Sequence, residues 1–448
     1  MRARRNEGSL RKKCRPNFRP GAAIEFRLSR VRGFLHSCQG PGSIAASLQL
    51  QSVGESAFRY TMPNPMFFLS IALHFSAGWL MAVAANWVGL IRWRRAVAAH
   101  WTERARLLYP ARVTAVLNMF LIPGILSQLH LAFFLEVAPW WVAGAIASFL
   151  GAVLGCYYLD HEMFPQLSLP NWLLHVIVAW GIRFFVFVPA IAAGLLMPID
   201  VGPTALLITA GYLAVHFANQ GGMLIRCLRL IRVLKSPSVR LKVIVTDVAA
   251  RANILVRATW QFGGVMANAF AFPVTSELAF SDRLLNICND EEISAVCAHE
   301  MAHLGEPNVV LAGRLMGSLY LLPFIFITPL LNRLAAAGLI LAFLGVISIR
   351  RFAGWLTRRM EKRADRLAST TTTNEGVYAS ALEKMYRENQ IPAVNASRRQ
   401  PHPDLYDRML RAGVKPDYPR PDRPKRVTLV GWLYIFAFAF ATIAALRG

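Results

Sequence analysis

The sequence predicts a polytopic α-helical membrane protein with about eight spans and a small α+β domain that is split by a transmembrane hairpin. Hydrophobic residues make up 55% of the 448 positions and charged residues only 17%. A soluble domain does not need this balance, and apolar runs of about 20 residues match the thickness of a bilayer. The candidate spans are residues 66–91, 113–135, 140–159, 172–197, 203–225, 309–331, 334–352 and 427–446.

The spans divide the chain into membrane parts and polar parts. In order, these are a basic tail 1–61, a five-span membrane domain 62–225, a first polar segment 226–308, a membrane hairpin 309–352, a second polar segment 353–426 and a final span 427–448. The polar material is therefore interrupted by a membrane hairpin.

Local patterns in the polar segments predict a small sheet and two helices. Residues 240–246, 265–271 and 277–280 have the alternation or composition of strands. Residues 355–368 and 377–388 have the composition of helices, and residues typical of helix boundaries separate them.

The formal charge of +24 is explained by membrane topology and not by nucleic-acid binding. No basic stretch contains a recognisable RNA- or DNA-binding motif, so we expect no nucleic-acid partner. Basic residues crowd the loops after the first, fifth and seventh spans, and threading eight spans places all three loops in the cytoplasm. We therefore expect a protein of the bacterial inner membrane whose two polar segments face the cytoplasm.

The basic tail does not fit this eight-span topology. Residues 1–61 are rich in Lys and Arg, yet an eight-span topology would require them to be translocated. We expect translation of the native protein to start at Met62, which leaves the tail untranslated. The alternative is a basic tail held inside, with one span miscounted.

The most informative motif is the segment 299–303, His-Glu-Met-Ala-His. Two imidazoles four residues apart on a helix point the same way and can share one metal ion, and Glu300 between them can reach a metal-activated water. Asn289 can cap this helix, with Glu292 completing a capping box. The arrangement is typical of a zinc peptidase and predicts one Zn²⁺ per chain.

A catalytic zinc needs a third protein ligand beside His299 and His303, and an open position for water. Glu361 is the best candidate because it begins a Glu-x-x-x-Asp pair on one face of a predicted helix; from spacing alone, it could equally pair with neighbouring basic side chains. Glu306 is nearer, but Pro307 ends the helix just after it and leaves its orientation toward the metal open.

Several features occur together in a fixed order. They are Asn268-Ala269-Phe270-Ala271, the His-Glu-Met-Ala-His segment 299–303, the hairpin 309–352, Glu361 with Asp365, and His402-Pro403 followed by Arg408. In this combination the chain, over about residues 240–411, resembles the membrane zinc metallopeptidases that include the bacterial heat-shock protease HtpX and the CAAX prenyl proteases. The resemblance implies a zincin-like metallopeptidase domain.

The resemblance also implies a role for each matching residue. His299, His303 and Glu361 would hold the zinc, and Glu300 would be the general base. Asp365 would orient one of the ligand histidines.

Two further sites follow from the same resemblance. His402 and Arg408 would stabilise the oxyanion. The strand formed by Asn268, Ala269, Phe270 and Ala271 would bind the substrate backbone by β-augmentation.

The predicted function is an integral-membrane zinc-dependent endopeptidase that cleaves membrane or misfolded proteins by metal-activated water. Its expected partners are a protein or peptide substrate and the lipid bilayer, and no pattern indicates an oligomeric state. One alternative is a CAAX-type protease of prenylated peptides. Another is a peptidase-like membrane sensor, which the short predicted outer loops disfavour.

Overall fold

The computed structural model of the protein describes residues 65–134, 139–371, 376–397 and 402–445. The predicted basic tail 1–61 and the predicted start at Met62 lie outside these ranges. The chain divides into Met1–Phe68 and Leu69–Gly448, and every contact described below lies within the second unit.

The first helices of the described chain form the part that the sequence predicts to lie in the membrane. They are α1 (Pro65–Arg95), α2 (Trp101–Phe134), α3 (Pro139–Met163), α4 (Leu169–Leu196), α5 (Pro203–Ala218) and α6 (Leu224–Leu230). A π-helical turn, Asn219–Met223, separates α5 from α6.

The remaining elements form a mixed domain, a hairpin and a final helix. The mixed elements are β1 (Leu234–Lys235), α7 (Val239–Ala252), β2 (Ala258–Phe262), β3 (Ala269–Phe272), β4 (Glu277–Ser281), α8 (Asp282–Ile287) and α9 (Asp290–Leu304). The later helices are α10 (Asn308–Ser318), α11 (Leu322–Ile325), α12 (Ile327–Leu334), α13 (Ala336–Thr371), α14 (Val377–Glu388), α15 (Leu405–Arg411) and α16 (Leu429–Ala445).

Five helical segments of the described chain are long and apolar enough to cross a membrane, one of which joins α10 and α11. They are Met66–Arg95, Trp101–Leu131, Trp141–Met163, Asn308–Ile325 and Ala336–Thr370. The bent pair within α4, Leu169–Ile182 and Phe185–Leu196, makes a sixth if it forms one span. The predicted count of eight is not confirmed, because α5 and α16 have only 16 and 17 residues and a span needs about 20.

Small residues allow α1 and α3 to pack closely. A Cβ atom at Gly151 would collide with the carbonyl oxygen of Phe75, and one at Gly155 would lie 2.6 Å from the Cβ of Ala82. Two glycines four residues apart on one face are typical of membrane helices whose backbones touch. Larger side chains at these positions would force the helices apart.

The predicted strand at 240–246 is wrong, because these residues lie in α7. The side chain of Ser238 caps the helix by accepting a hydrogen bond from the N–H of Leu241. The buried residues of α7 are Leu241, Ile244, Val245 and Val248. This spacing places all four on one helical face, so packing against the domain core favours the helix.

The predicted small sheet is present, with the strand order β1-β2-β4-β3. β3 and β4 pair antiparallel, with Ala269 opposite Phe280 and Ala271 opposite Leu278. The predicted strand 277–280 is confirmed as β4, whereas only the end of the predicted strand 265–271 is extended. β1 and β2 were not predicted.

α9 is the central helix of the mixed domain and packs against α7, α13, α14 and β3. Its fully buried apolar residues include Ile293, Cys297 and Met301. Burial of this face fixes the rotation of α9, and therefore the direction in which its histidines point.

α13 joins the predicted membrane hairpin to the polar domain without a break. The predicted span 334–352 and the predicted helix 355–368 are parts of this one 36-residue helix. The predicted helix 377–388 is confirmed as α14. Glu361 therefore projects from the same continuous helix that forms the second arm of the hairpin.

Candidate metal centre

The amino-terminal end of α9 has the predicted capping box. Asn289 Oδ1 accepts from the N–H of Glu292, and Glu292 Oε2 accepts from the N–H of Asn289, both at 2.9 Å. The cap starts the helix at a defined residue. Further along this helix, His299 and His303 are four residues apart, which is about one turn. Their ring centroids are 5.2 Å apart.

His299, His303 and Glu361 come together although Glu361 belongs to a different helix. His299 Nε2 lies 3.6 Å from Glu361 Oε2, and His303 Nε2 lies 3.6 Å from Glu361 Oε1. One ligand atom from each residue lies within 4.8 Å of the others, and all three residues are buried. A tetrahedral zinc with bonds of about 2 Å separates its ligand atoms by ~3.3 Å. The residue types and spacing of this donor set therefore fit a zinc ion.

Tyr378 and Asp365 fix the orientation of His299. The Tyr378 hydroxyl oxygen lies 2.7 Å from His299 Nδ1, and the hydroxyl donates to Asp365 Oδ1 at 2.8 Å. Burial raises the pKa of Tyr378 well above its ordinary value, so the hydroxyl keeps its single proton. Because a carboxylate only accepts, that proton goes to Asp365, and His299 Nδ1–H donates to the tyrosine oxygen. His299 Nε2 is then left with its lone pair on the side of Glu361.

Arg408 completes this buried network. Its Nη2 donates to Asp365 Oδ1 and to the Tyr378 oxygen, both at 2.6 Å, and its Nε donates to Asp365 Oδ2 at 3.1 Å. Burial lowers the pKa of Arg408, but Tyr378 and Asp365 outweigh burial and hold that pKa well above its ordinary value. Its side chain is only 4% exposed. The guanidinium is therefore engaged within the protein and does not face solvent.

Glu306 fixes His303. Its Oε1 lies 2.9 Å from His303 Nδ1, and its Oε2 accepts from Arg314 Nη1 at 3.3 Å. Glu306 is not in the group that could hold the metal; it accepts the Nδ1 proton of His303 and leaves Nε2 facing Glu361. Burial lowers the pKa of His303, but the bond to Glu306 and the charges of Glu300 and Glu361 outweigh burial and raise that pKa. These carboxylates therefore give the centre a negative electrostatic potential, which favours a cation.

His402 is exposed at the centre, and Glu300 is half-buried. His402 Nδ1 lies 2.7 Å from Glu361 Oε2, and its side chain is 57% exposed. Glu300 is half-buried on α9, beside His299. Solvent and a substrate can therefore reach both side chains.

The predicted substrate-binding residues lie at the edge of the sheet. In the described ranges, β4 is the only strand neighbour of β3. Asn268 directly precedes β3, and antiparallel alternation turns the backbone groups of Ala269 and Ala271 away from β4. Phe270 is 45% exposed. Since β3 packs against α9, this strand edge lies beside the helix that carries both histidines.

The sequence did not identify Tyr378 or the partnership of Glu306 with His303. Tyr378 lies in α14, and no local motif connects it with His299. Glu306 follows His303 by three residues, which is a usable signal, but the Pro307 helix end obscured it.

Comparison with known proteins agrees with this geometry. The model of peptidase family M48 matches residues 235–413, which include every residue of the centre described above. This segment is less than half of the chain, and α1 to α6 lie outside it. A search of the curated proteins finds no match. The chain therefore carries, over residues 235–413, a domain of peptidase family M48, the metallopeptidase family that contains HtpX and the CAAX prenyl protease.

Proposed function

We propose that the chain is an integral-membrane zinc endopeptidase, with the zinc held by His299, His303 and Glu361. The observation that carries this proposal is the matched orientation of the two histidines. Each Nδ1 has its own partner on the protein, and each Nε2 lies 3.6 Å from the same carboxylate. Imidazoles that hold a metal are oriented in this way, with one nitrogen for the metal and the other hydrogen-bonded to the protein.

The residues around the ligands divide the chemistry between them. Zinc at this centre would supply Lewis acidity, which activates water at neutral pH and polarises a peptide carbonyl. Glu300 takes the proton of the attacking water and delivers it to the leaving amine. His402, exposed beside Glu361, donates to the developing oxyanion.

Arg408 has a different role from the one that the resemblance implies. Because its guanidinium is buried and donates to Asp365 and Tyr378, we assign it as a positioning residue. It holds Asp365 and Tyr378, which in turn hold His299. Substrate contact is not part of this role.

The substrate binds as an extended strand along β3. Backbone pairing at a strand edge tolerates many sequences, which suits an enzyme that cleaves membrane or misfolded proteins. α13 supports a membrane substrate as well: Glu361 is about 14 Å along the helix from the end of the predicted span at residue 352. Basic residues of α13 between the span and Glu361 favour a cytoplasmic centre in a bacterial inner membrane.

The experiment that tests this function compares purified wild type with Glu300→Gln for casein cleavage and zinc content. Glu300→Gln should keep its zinc and lose at least ~100-fold in rate, because a positioned acid–base group contributes about that much or more. Glu291→Gln, at an exposed position of the same helix, is the matched control and should cleave normally. Activity of Glu300→Gln above about 1% of wild type would refute the assignment.

The same assay separates the branches of the family. With prenylated and unmodified peptides of one sequence, a general endopeptidase should cleave both. Cleavage of the prenylated peptide alone would instead assign the chain to the CAAX-type branch.

A further inference from the structure

The side chain of Asn389 binds the backbone of Ala267, just before the edge strand β3. The Ala267 N–H donates to Asn389 Oδ1 at 2.9 Å, and Asn389 Nδ2 donates to the Ala267 carbonyl oxygen at 2.8 Å. Both residues are buried. A carboxamide offers the same donor and acceptor as a peptide group, so Asn389 takes the place of a neighbouring strand at this one position.

Ala267 presents its backbone groups to the same edge as β3 does. The N–H of Ser281 donates to the carbonyl oxygen of Asn268, and the N–H of Asn268 donates to Ser281 Oγ, both at 2.9 Å. Asn268 therefore faces β4. Because successive residues of an antiparallel strand alternate, the backbone groups of Ala267, Ala269 and Ala271 turn toward the opposite edge.

These three residues differ in what remains available to a substrate. Asn389 occupies both groups of Ala267, and Asn268 Oδ1 accepts from the Ala269 N–H at 2.9 Å. Among the residues that the structure describes, none occupies the carbonyl of Ala269 or the backbone groups of Ala271, which leaves these groups for a partner strand. The edge is therefore bounded on one side by a side chain of the protein itself.

A residue of the membrane domain holds Asn389 in place. Asn389 is the carboxyl-terminal cap of α14, and Gln390 leaves the helix with φ +52°. Arg112, on α2, donates from Nη1 to the Asn389 carbonyl oxygen at 2.9 Å. α2 lies outside the segment that matches family M48, so the amino-terminal part of the chain acts on the edge beside the metal centre indirectly, through Asn389.

We propose that Asn389, positioned by Arg112, ends the substrate-binding edge of β3 and sets which residues of a substrate can pair with it. The inference rests on the proposed peptidase function and specifies how that site selects its substrate. A bound segment pairs with Ala269 and Ala271 and leaves the edge before Ala267. The enzyme then recognises a short extended segment in one register, with the cleaved bond at a fixed distance from Asn389.

The test is a series of peptides lengthened by one residue at a time from a minimal cleaved peptide, at either end. In wild type, kcat/KM should no longer rise once the peptide is long enough to reach Asn389. In Asn389→Ala, further residues at that end should raise kcat/KM by about fivefold for each net hydrogen bond that they form with the two freed backbone groups of Ala267. The matched control is Gln390→Ala, which removes a hydrogen bond from Gln390 Nε2 to the Arg387 carbonyl oxygen at the end of α14; it should keep the wild-type profile.

A second pair of variants tests the role of the membrane helix. Arg112→Ala should extend the length profile as Asn389→Ala does, because the helix end loses its anchor. Arg106→Ala, which removes the pair with Glu103 on the same helix, should not.

The outcomes separate this inference from the proposed function. A uniform loss of kcat/KM at every peptide length in Asn389→Ala would mean that Asn389 only supports the strand. This result would overturn the proposal that Asn389 ends the substrate-binding edge. An unchanged profile overturns it as well. If wild type cleaves no peptide substrate at all, so that no minimal cleaved peptide can be found, the peptidase function is refuted, and the proposed role of Asn389 with it.

Discussion

Replacing Asp365 by Ala should both destabilise the domain and weaken metal binding, because one carboxylate serves two tasks. It accepts two hydrogen bonds from Arg408 and one from Tyr378. Its removal leaves a guanidinium that is only 4% exposed without its carboxylate partner. Removal of one member of a buried ion pair costs about 3–5 kcal/mol.

The effect of Asp365→Ala on the metal has a separate origin. Without Asp365 the Tyr378 hydroxyl loses its carboxylate acceptor, and His299 loses the network that fixes its ring and tautomer. Loss of such a partner lowers metal affinity by about 10–100-fold. Tyr378→Phe should be milder, about 1 kcal/mol in stability, because Asp365 still pairs with Arg408 and lies 3.3 Å from His299 Nδ1.

The assay is denaturant unfolding in detergent together with a competition titration for zinc. Combining Asp365→Ala with Arg408→Met should recover much of the stability, since no charge is then buried alone. Zinc affinity should stay low in this double variant. A single variant as stable as wild type, or a double variant as unstable as the single one, would refute the reasoning.

Three further predictions follow from the centre and its surroundings. Glu306→Ala should lower zinc affinity about 10–100-fold by freeing the ring of His303, and Glu306→Gln, which keeps an acceptor oxygen, should lose less in the same titration. Burial raises the pKa of Glu292, but hydrogen bonds, chiefly from Lys384, outweigh burial and lower that pKa. This carboxylate therefore stabilises the fold above its unfolded pKa of about 4.3, and the free energy of unfolding should fall as the pH drops through the lowered value; Glu292→Gln should flatten that acid dependence. In a variant otherwise free of cysteine, Lys415→Cys should react with an impermeant thiol reagent only after permeabilisation, and reaction in intact cells would place the centre outside the cytoplasm.

The two candidate metal ligands on α9 were predictable because their geometry is local. Four residues of helix place His299 and His303 on one face whatever the rest of the fold does. The sequence pattern also suggested Glu361, but its distance from the histidines depends on how α13 packs on α9. Tyr378 depends entirely on such packing, since α14 brings it to His299 from a distant part of the chain.

The errors in the fold have equally specific causes. Apolar and polar side chains alternate in residues 240–246, but this window is too short to distinguish a strand from a helix. The apolar stripe that continues to Val248 indicates the helix. Hydropathy also overlooks breaks in a helix. The apolar run 203–225 reads as one span, yet α5 ends at Ala218, where the π-helical turn Asn219–Met223 begins.

The most direct test of the proposed centre is zinc-edge X-ray absorption of the purified protein, on wild type and Glu361→Ala. The proposal predicts nitrogen and oxygen neighbours at about 2.0–2.2 Å, with scattering from two imidazoles, and no sulfur. Glu361→Ala should lose the zinc or one oxygen neighbour. A sulfur shell near ~2.3 Å, or a spectrum unchanged by Glu361→Ala, would contradict a zinc site built from His299, His303 and Glu361.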